Sequence, residues 1–177
     1  MRSAKKIWRI LTNILVILVV VLAIALVGVR LFGLQVFAVT SGSMEPAYQV
    51  GSLIYVKKVE PAELAVGDPI TFLLDEKTVA THRIVEVVPD ESDPSVLRYR
   101  TKGDANNTVD GGLVHYRNVI GRPVFSIPKL GYVSNFIQKP PGSYIAIAAA
   151  AILILLTFLP DILGDEEKKG QKDANKV

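Results

Sequence analysis

The sequence predicts a mainly β fold, a small antiparallel β domain anchored by two transmembrane helices. Two observations carry that expectation. Apolar runs near both ends of the 177-residue chain have the length and composition of membrane helices. Between them lie short alternating or β-branched stretches punctuated by turn residues, the pattern of half-buried strands.

Taken in order, residues 1–9 carry Arg2, Lys5, Lys6 and Arg9, with Trp8 where an interfacial ring would sit. Residues 10–29 contain no charge and are long enough to cross a hydrocarbon core at about 1.5 Å per residue. Residues 143–160 form a second, alanine-rich apolar run, and 161–177 a charged tail whose composition suits disorder. Lys168, Lys169, Lys172 and Lys176 lie in that tail, so positive charge flanks the outer side of both runs. Both termini are therefore expected in the cytoplasm and residues 30–142 on the outer face of a plasma membrane, since Arg30 and Lys139 are too few to reverse the bias. A cleaved leader is the alternative for the first run, because Val36-Phe37-Ala38 offers small residues. The run exceeds the 7–15 residues of a typical leader core, and cleavage there would leave four residues before Ser43.

The formal net charge of +3 resides largely in these flanks, which excludes a nucleic-acid footprint. The chain has no cysteine, so thiol catalysis, cysteine metal sites and disulfides are excluded. An outer domain of about 110 residues can still bury a core of its own.

Within it, strands are expected at 35–40, 52–59, 69–74, 78–88, 97–101 and 119–127. Asp75-Glu76-Lys77 reads as a hairpin turn, 61–66 as a short helical turn, and 89–95 as an acidic surface loop.

Chemistry is expected around Thr40-Ser41-Gly42-Ser43-Met44-Glu45-Pro46, a polar loop about a dozen residues beyond the first apolar run. The chain has two histidines. His82 shares a strand face with Ala80 and Ile84, where it is either a satisfied structural residue or a base for a serine hydroxyl. His115, beside Tyr116 and Arg117, suits capping or packing. Acid candidates cluster in the turn-rich stretch 101–112, which holds Asp104 and Asp110. These carboxylates either satisfy their own loop or orient an imidazole. No metal-ligand spacing links the histidines to them, and no cofactor is expected.

Ser41-Gly42-Ser43-Met44-Glu45-Pro46, Gly67-Asp68-Pro69-Ile70-Thr71-Phe72 and Gly103-Asp104, in this order and spacing, resemble the sequence boxes of type I signal peptidases. The resemblance covers roughly residues 8–128. His82-Arg83 stands where bacterial housekeeping members have lysine before arginine, which resembles the branch found in the endoplasmic reticulum, in archaea and in some Gram-positive bacteria. Asp104 and Asp110 repeat that branch's spacing of two aspartates six residues apart, although Ala105 replaces the more usual asparagine.

The resemblance implies a β peptidase fold shared with self-cleaving repressors. It assigns Ser43 as nucleophile, His82 as general base, Asp110 as first choice for the orienting acid and Asp104 as a structural or assisting carboxylate. The Ser43 backbone N–H and the Ser41 hydroxyl would form the oxyanion site. The implied partners are preprotein signal peptides at the lipid bilayer, cut after small residues at Ala-x-Ala-like sites, while the motifs carry no information on partner subunits. Thirteen steps from Arg30 to Ser43 reach at most about 45 Å, which keeps the serine near the membrane, with the apolar 32–37 segment against the headgroups. Side-chain pockets are expected near Val39 and Ile70. Two other readings are a protease that processes its own chain at Ala38 and a non-catalytic membrane-anchored binding module.

Overall fold

A computed structural model describes residues 2–90, 92–94 and 96–174, with side chains described from 6 to 158 apart from positions 91 and 95. Tail positions 175–177 and two members of the 89–95 loop thus lie outside the described residues. The chain divides into two compact units, a β unit at Gly28–Asn135 and a helical unit formed by the two ends.

The β unit is one seven-stranded antiparallel sheet in the order β1-β2-β7-β3-β4-β5-β6. The strands are β1 Leu34–Ala38, β2 Leu53–Lys57, β3 Pro69–Leu73, β4 Val79–Pro89, β5 Leu97–Lys102, β6 Leu113–His115 and β7 Val119–Ile127. Six coincide with expected strands to within two residues at each end. β6 escaped the sequence reading because three residues are too few to show a period of two, and they follow a Gly/Asp-rich loop that reads as irregular. The short helical turn is a 3-10 turn at Pro61–Glu63.

Alternation explains the core. Ile70 and Phe72 of β3 join Ile84, Tyr99, Val114 and Leu64 in one buried cluster, and the Tyr99 hydroxyl donates to the Pro61 carbonyl at 3.0 Å. β2 is buried along Leu53–Val56, and Tyr55 stacks on Phe125 of β7 with ring centroids 4.1 Å apart. The β3–β4 hairpin is closed by Asp75, whose carboxylate accepts the Lys77 and Thr78 backbone N–H groups at 2.8 Å each. The Lys77 bond, then the Thr78 bonds, hold that carboxyl below its ordinary range.

β4 changes partner along its length. Val79 to Arg83 pair with β3, and pairing with β5 begins at Arg83 opposite Lys102. The β5-side edge of Val79, Ala80, Thr81 and His82 is left out of the ladder.

α2, Leu130–Gln138, follows β7 and was not expected. Its nine residues are too short to stand out by periodicity, and they depend on packing against the 51–52 turn.

In the helical unit, α1 spans Arg2–Leu26 and α3 spans Gly142–Ala174. Lys6–Leu26 is the one helix among the described residues that by itself is long and apolar enough to cross a membrane. The 143–160 run lies in α3 and reaches that standard only jointly with α2, as a pair bent at the intervening Pro140-Pro141. The tail expected to be disordered instead continues α3 as far as Ala174. Its Glu, Lys, Gln and Ala are good helix formers, so an established helix propagates into it.

Candidate active site

Ser43 occupies a compact loop between β1 and β2. The loop is held by a Glu45 N–H to Gly42 carbonyl bond of 3.0 Å, a Tyr48 N–H to Met44 carbonyl bond of 2.9 Å, and the fully buried Met44 side chain. Burying Met44 beside the half-buried Ser43 anchors the nucleophile candidate without covering it.

Three sequence-separated groups meet there. His82 Nε2 lies 3.2 Å from Ser43 Oγ, and His82 Nδ1 lies 2.6 Å from Asp110 Oδ2. The tautomer that uses both contacts carries its proton on Nδ1, donated to the carboxylate, and leaves Nε2 to accept from the serine hydroxyl. The His82 and Asp110 side chains are 16% and 27% exposed, enough burial to limit solvent screening of the pair. The Phe72 ring meets the imidazole edge-on at 6.3 Å between centroids.

Asp110 is gripped by Thr101, a residue that sequence reasoning missed. The fully buried Thr101 hydroxyl donates to Asp110 Oδ2 at 2.7 Å, and the Asp110 N–H donates to the Thr101 carbonyl at 2.9 Å. The signal available was β5 alternation, which places Thr101 on the same face as Tyr99.

Asp104 goes elsewhere. Both of its oxygens accept from Arg83, Nε at 2.8 Å and a terminal nitrogen at 2.6 Å, while the other terminal nitrogen donates to the Gly67 carbonyl at 2.7 Å. Hydrogen bonding to Asp104 raises the Arg83 pKa further, so the guanidinium stays charged. The neighbouring Ala105 N–H donates to the Ser43 carbonyl at 2.9 Å. A Cβ added to Gly103 would stand 2.6 Å from that carbonyl, so glycine permits the approach of the two loops.

Ser41 Oγ lies 3.4 Å from Ser43 Oγ. His115 caps the 3-10 turn at Tyr116–Asn118, its Nδ1 accepting the Arg117 N–H at 3.1 Å, and makes a tilted ring contact with Tyr116. Among the described residues no cluster of His, Asp and Glu has the make-up of a metal site.

A cavity of about 340 Å³ opens beside Ser43 and His82, walled by Ala38 and Val39 on one side and by Ala80 on the other. Val39 lines it as expected, but Ile70 does not. Ile70 pairs with His82 in the β3–β4 register and is fully buried among Phe72 and Ile84, so it belongs to the core. Tyr48 also lines the cavity; burial pushes its phenol pKa up, with Arg83 opposing and Asp104 adding, which keeps the hydroxyl neutral.

A hydroxyl, an imidazole and a carboxylate in hydrogen-bonded series beside a small cavity form the constellation of a serine endopeptidase. Comparison with known proteins gives the family. Residues 11–93 match the family model described as signal peptidase, peptidase S26. The chain is 39% identical over 123 residues to signal peptidase I W of Bacillus subtilis, covering 65% of this chain and 63% of that protein. It is 31% identical over 134 residues to the signal peptidase complex catalytic subunit SEC11 of Eremothecium gossypii, covering 70% and 77%. The rat counterpart, SEC11C, is 28% identical over 130 residues, covering 68% and 67%. The chain belongs to the signal peptidase family, peptidase S26, and its match spans a little under two thirds of the Bacillus relative's length.

Proposed function

We propose that this protein is a membrane-bound signal peptidase that cuts preproteins after small residues, with Ser43 as nucleophile and His82 as general base. The observation that carries the proposal is the Ser43–His82–Asp110 series, with 3.2 and 2.6 Å between its polar atoms. His82 takes the Ser43 proton as Oγ attacks the scissile carbonyl, and returns it to the leaving amine. Asp110, held by Thr101, orients the imidazole and stabilises its cationic form. The Ser43 N–H and the Ser41 hydroxyl stabilise the oxyanion. Asp104 is structural, pinning its loop through Arg83.

Substrate enters as an extended strand. The free edge of Val79 to His82 faces the cavity, with β1 at its other wall, so main-chain bonds supply affinity there. Ala38, Val39 and Ala80 leave room for small side chains. Self-processing at Ala38 is disfavoured, since Ala38 is paired with Leu53 and would have to leave the sheet to be cut.

The expected topology has membrane helices at 10–29 and 143–160, the catalytic domain at 30–142 on the outer face of the plasma membrane, and the 1–9 and 161–177 termini in the cytoplasm. The basic flanks and the apolar Lys6–Leu26 helix support it.

Purified protein in vesicles should release a mature domain whose new N-terminus follows a small residue, read by N-terminal sequencing. An intact preprotein after prolonged incubation would refute the proposal. Activity should fall on acidification, because a protonated imidazole cannot accept the serine proton. A profile that instead needs strongly alkaline pH would point to a different base. Gly103→Ala should slow cleavage by about a hundredfold, as expected for a displacement of the order of 1 Å at the nucleophile loop. Initial rates against wild type at equal folded fraction check it.

A further inference from the structure

We infer that helix α2 positions one wall of the substrate cavity, through Gly131 and Tyr132 acting on the chain that returns from the serine loop; the inference rests on the reading of that cavity as the substrate site.

Three backbone hydrogen bonds run in series from the helix to the wall. The Gly131 N–H donates to the Gly51 carbonyl at 3.0 Å, and the Gly51 N–H donates to the Val39 carbonyl at 2.9 Å. The Val39 N–H donates to the Ser52 carbonyl, also at 2.9 Å. N–H groups in the first turn of a helix have no partner within the helix, so Gly131 is free to make the first of these bonds. Val39 lines the cavity beside Ser43.

The contact is close on both sides. Gly51 has φ +82°, and a Cβ there would stand 2.0 Å from the Tyr132 ring. A Cβ on Gly131 would stand 2.4 Å from the Ser52 carbonyl oxygen. Glycine at both positions permits this approach. Tyr132 remains 58% exposed, so its ring lies over Gly51 without being buried in the core.

The nucleophile is anchored separately, by the Ala105–Ser43 bond and by buried Met44. Moving α2 therefore shifts Val39 while Ser43 and His82 keep their geometry. That separation predicts a defect in substrate fit and selectivity with the chemical step preserved.

The test uses the full chain in vesicles and two preproteins that differ only in alanine or valine before the cut. Gly131→Ala and Tyr132→Ala should each raise KM for the alanine substrate about tenfold and shrink the alanine-over-valine preference by a similar factor, the scale of a one-carbon change in pocket fit. The kcat value and the rate of Ser43 labelling by a small fluorophosphonate should stay within about twofold of wild type, and Tyr132→Phe should restore wild-type KM because the ring is what covers Gly51. Unchanged KM and selectivity would overturn the inference, as would labelling that slows by the factor by which KM rises. Where Gly131→Ala does not fold, the Tyr132→Ala and Tyr132→Phe pair decides. A wild-type protein that labels but cuts neither preprotein would overturn the underlying reading instead.

Discussion

Ser43→Ala should lower preprotein cleavage by about a millionfold, to the background of the assay, with His82→Ala nearly as severe and the double variant no worse. The reason is the 3.2 Å contact between Ser43 Oγ and His82 Nε2. A serine hydroxyl at neutral pH is a weak nucleophile, and only the adjacent base makes it competent. Either loss removes the same step, so the two effects do not add. Single-turnover cleavage of a vesicle-bound preprotein measures this, with thermal unfolding as the control for folding. Neither change opens a cavity, because Ser43 is only partly buried and His82 borders open space. Residual activity above a tenth of wild type for Ser43→Ala would reject it as nucleophile.

Asp110→Asn should cost about 10⁴ in kcat, a loss of the size seen when a triad carboxylate becomes an amide. An asparagine side chain can present N–H to His82 Nδ1, which forces the ring proton onto Nε2, where it faces Ser43 and blocks proton acceptance. The Thr101 carbonyl still holds the backbone N–H of residue 110, and its hydroxyl, which donates to the carboxylate, can turn to accept from the amide, so the substituted side chain stays beside His82. Asp104→Asn keeps the imidazole tautomer and weakens a partly exposed ion pair with Arg83, for which a loss within about tenfold is expected. Matched kcat measurements on the two variants decide between the carboxylates. The reverse ranking would make Asp104 the orienting acid.

The two aspartates show where sequence reading stops. They lie six residues apart in one turn-rich loop, and nothing in their local pattern distinguishes them, so the preference for Asp110 came from the family resemblance alone. The fold separates them by capture: Arg83 takes both oxygens of Asp104, and Thr101 turns Asp110 toward His82. Ile70 shows the same limit from the other direction. Its strand was legible, but whether Ile70 met the cavity or the core depended on what packed over it. β6 and α2 were hidden because three and nine residues give little periodic signal, and α2 stands on a contact to Gly51 made across the chain.

What the sequence by itself determined is local. Alternation placed six strands, uninterrupted apolar residues marked the N-terminal helix, and the sequence boxes that resemble type I signal peptidases marked Ser43 and His82 as nucleophile and base candidates. What only the tertiary structure decided is which distant groups meet. Ser43 and His82 are 39 residues apart, and His82 and Asp110 are 28 apart. Periodicity constrains the face a side chain takes over a few residues, whereas closing such loops depends on sheet order and on the bonds that anchor each loop at its far end.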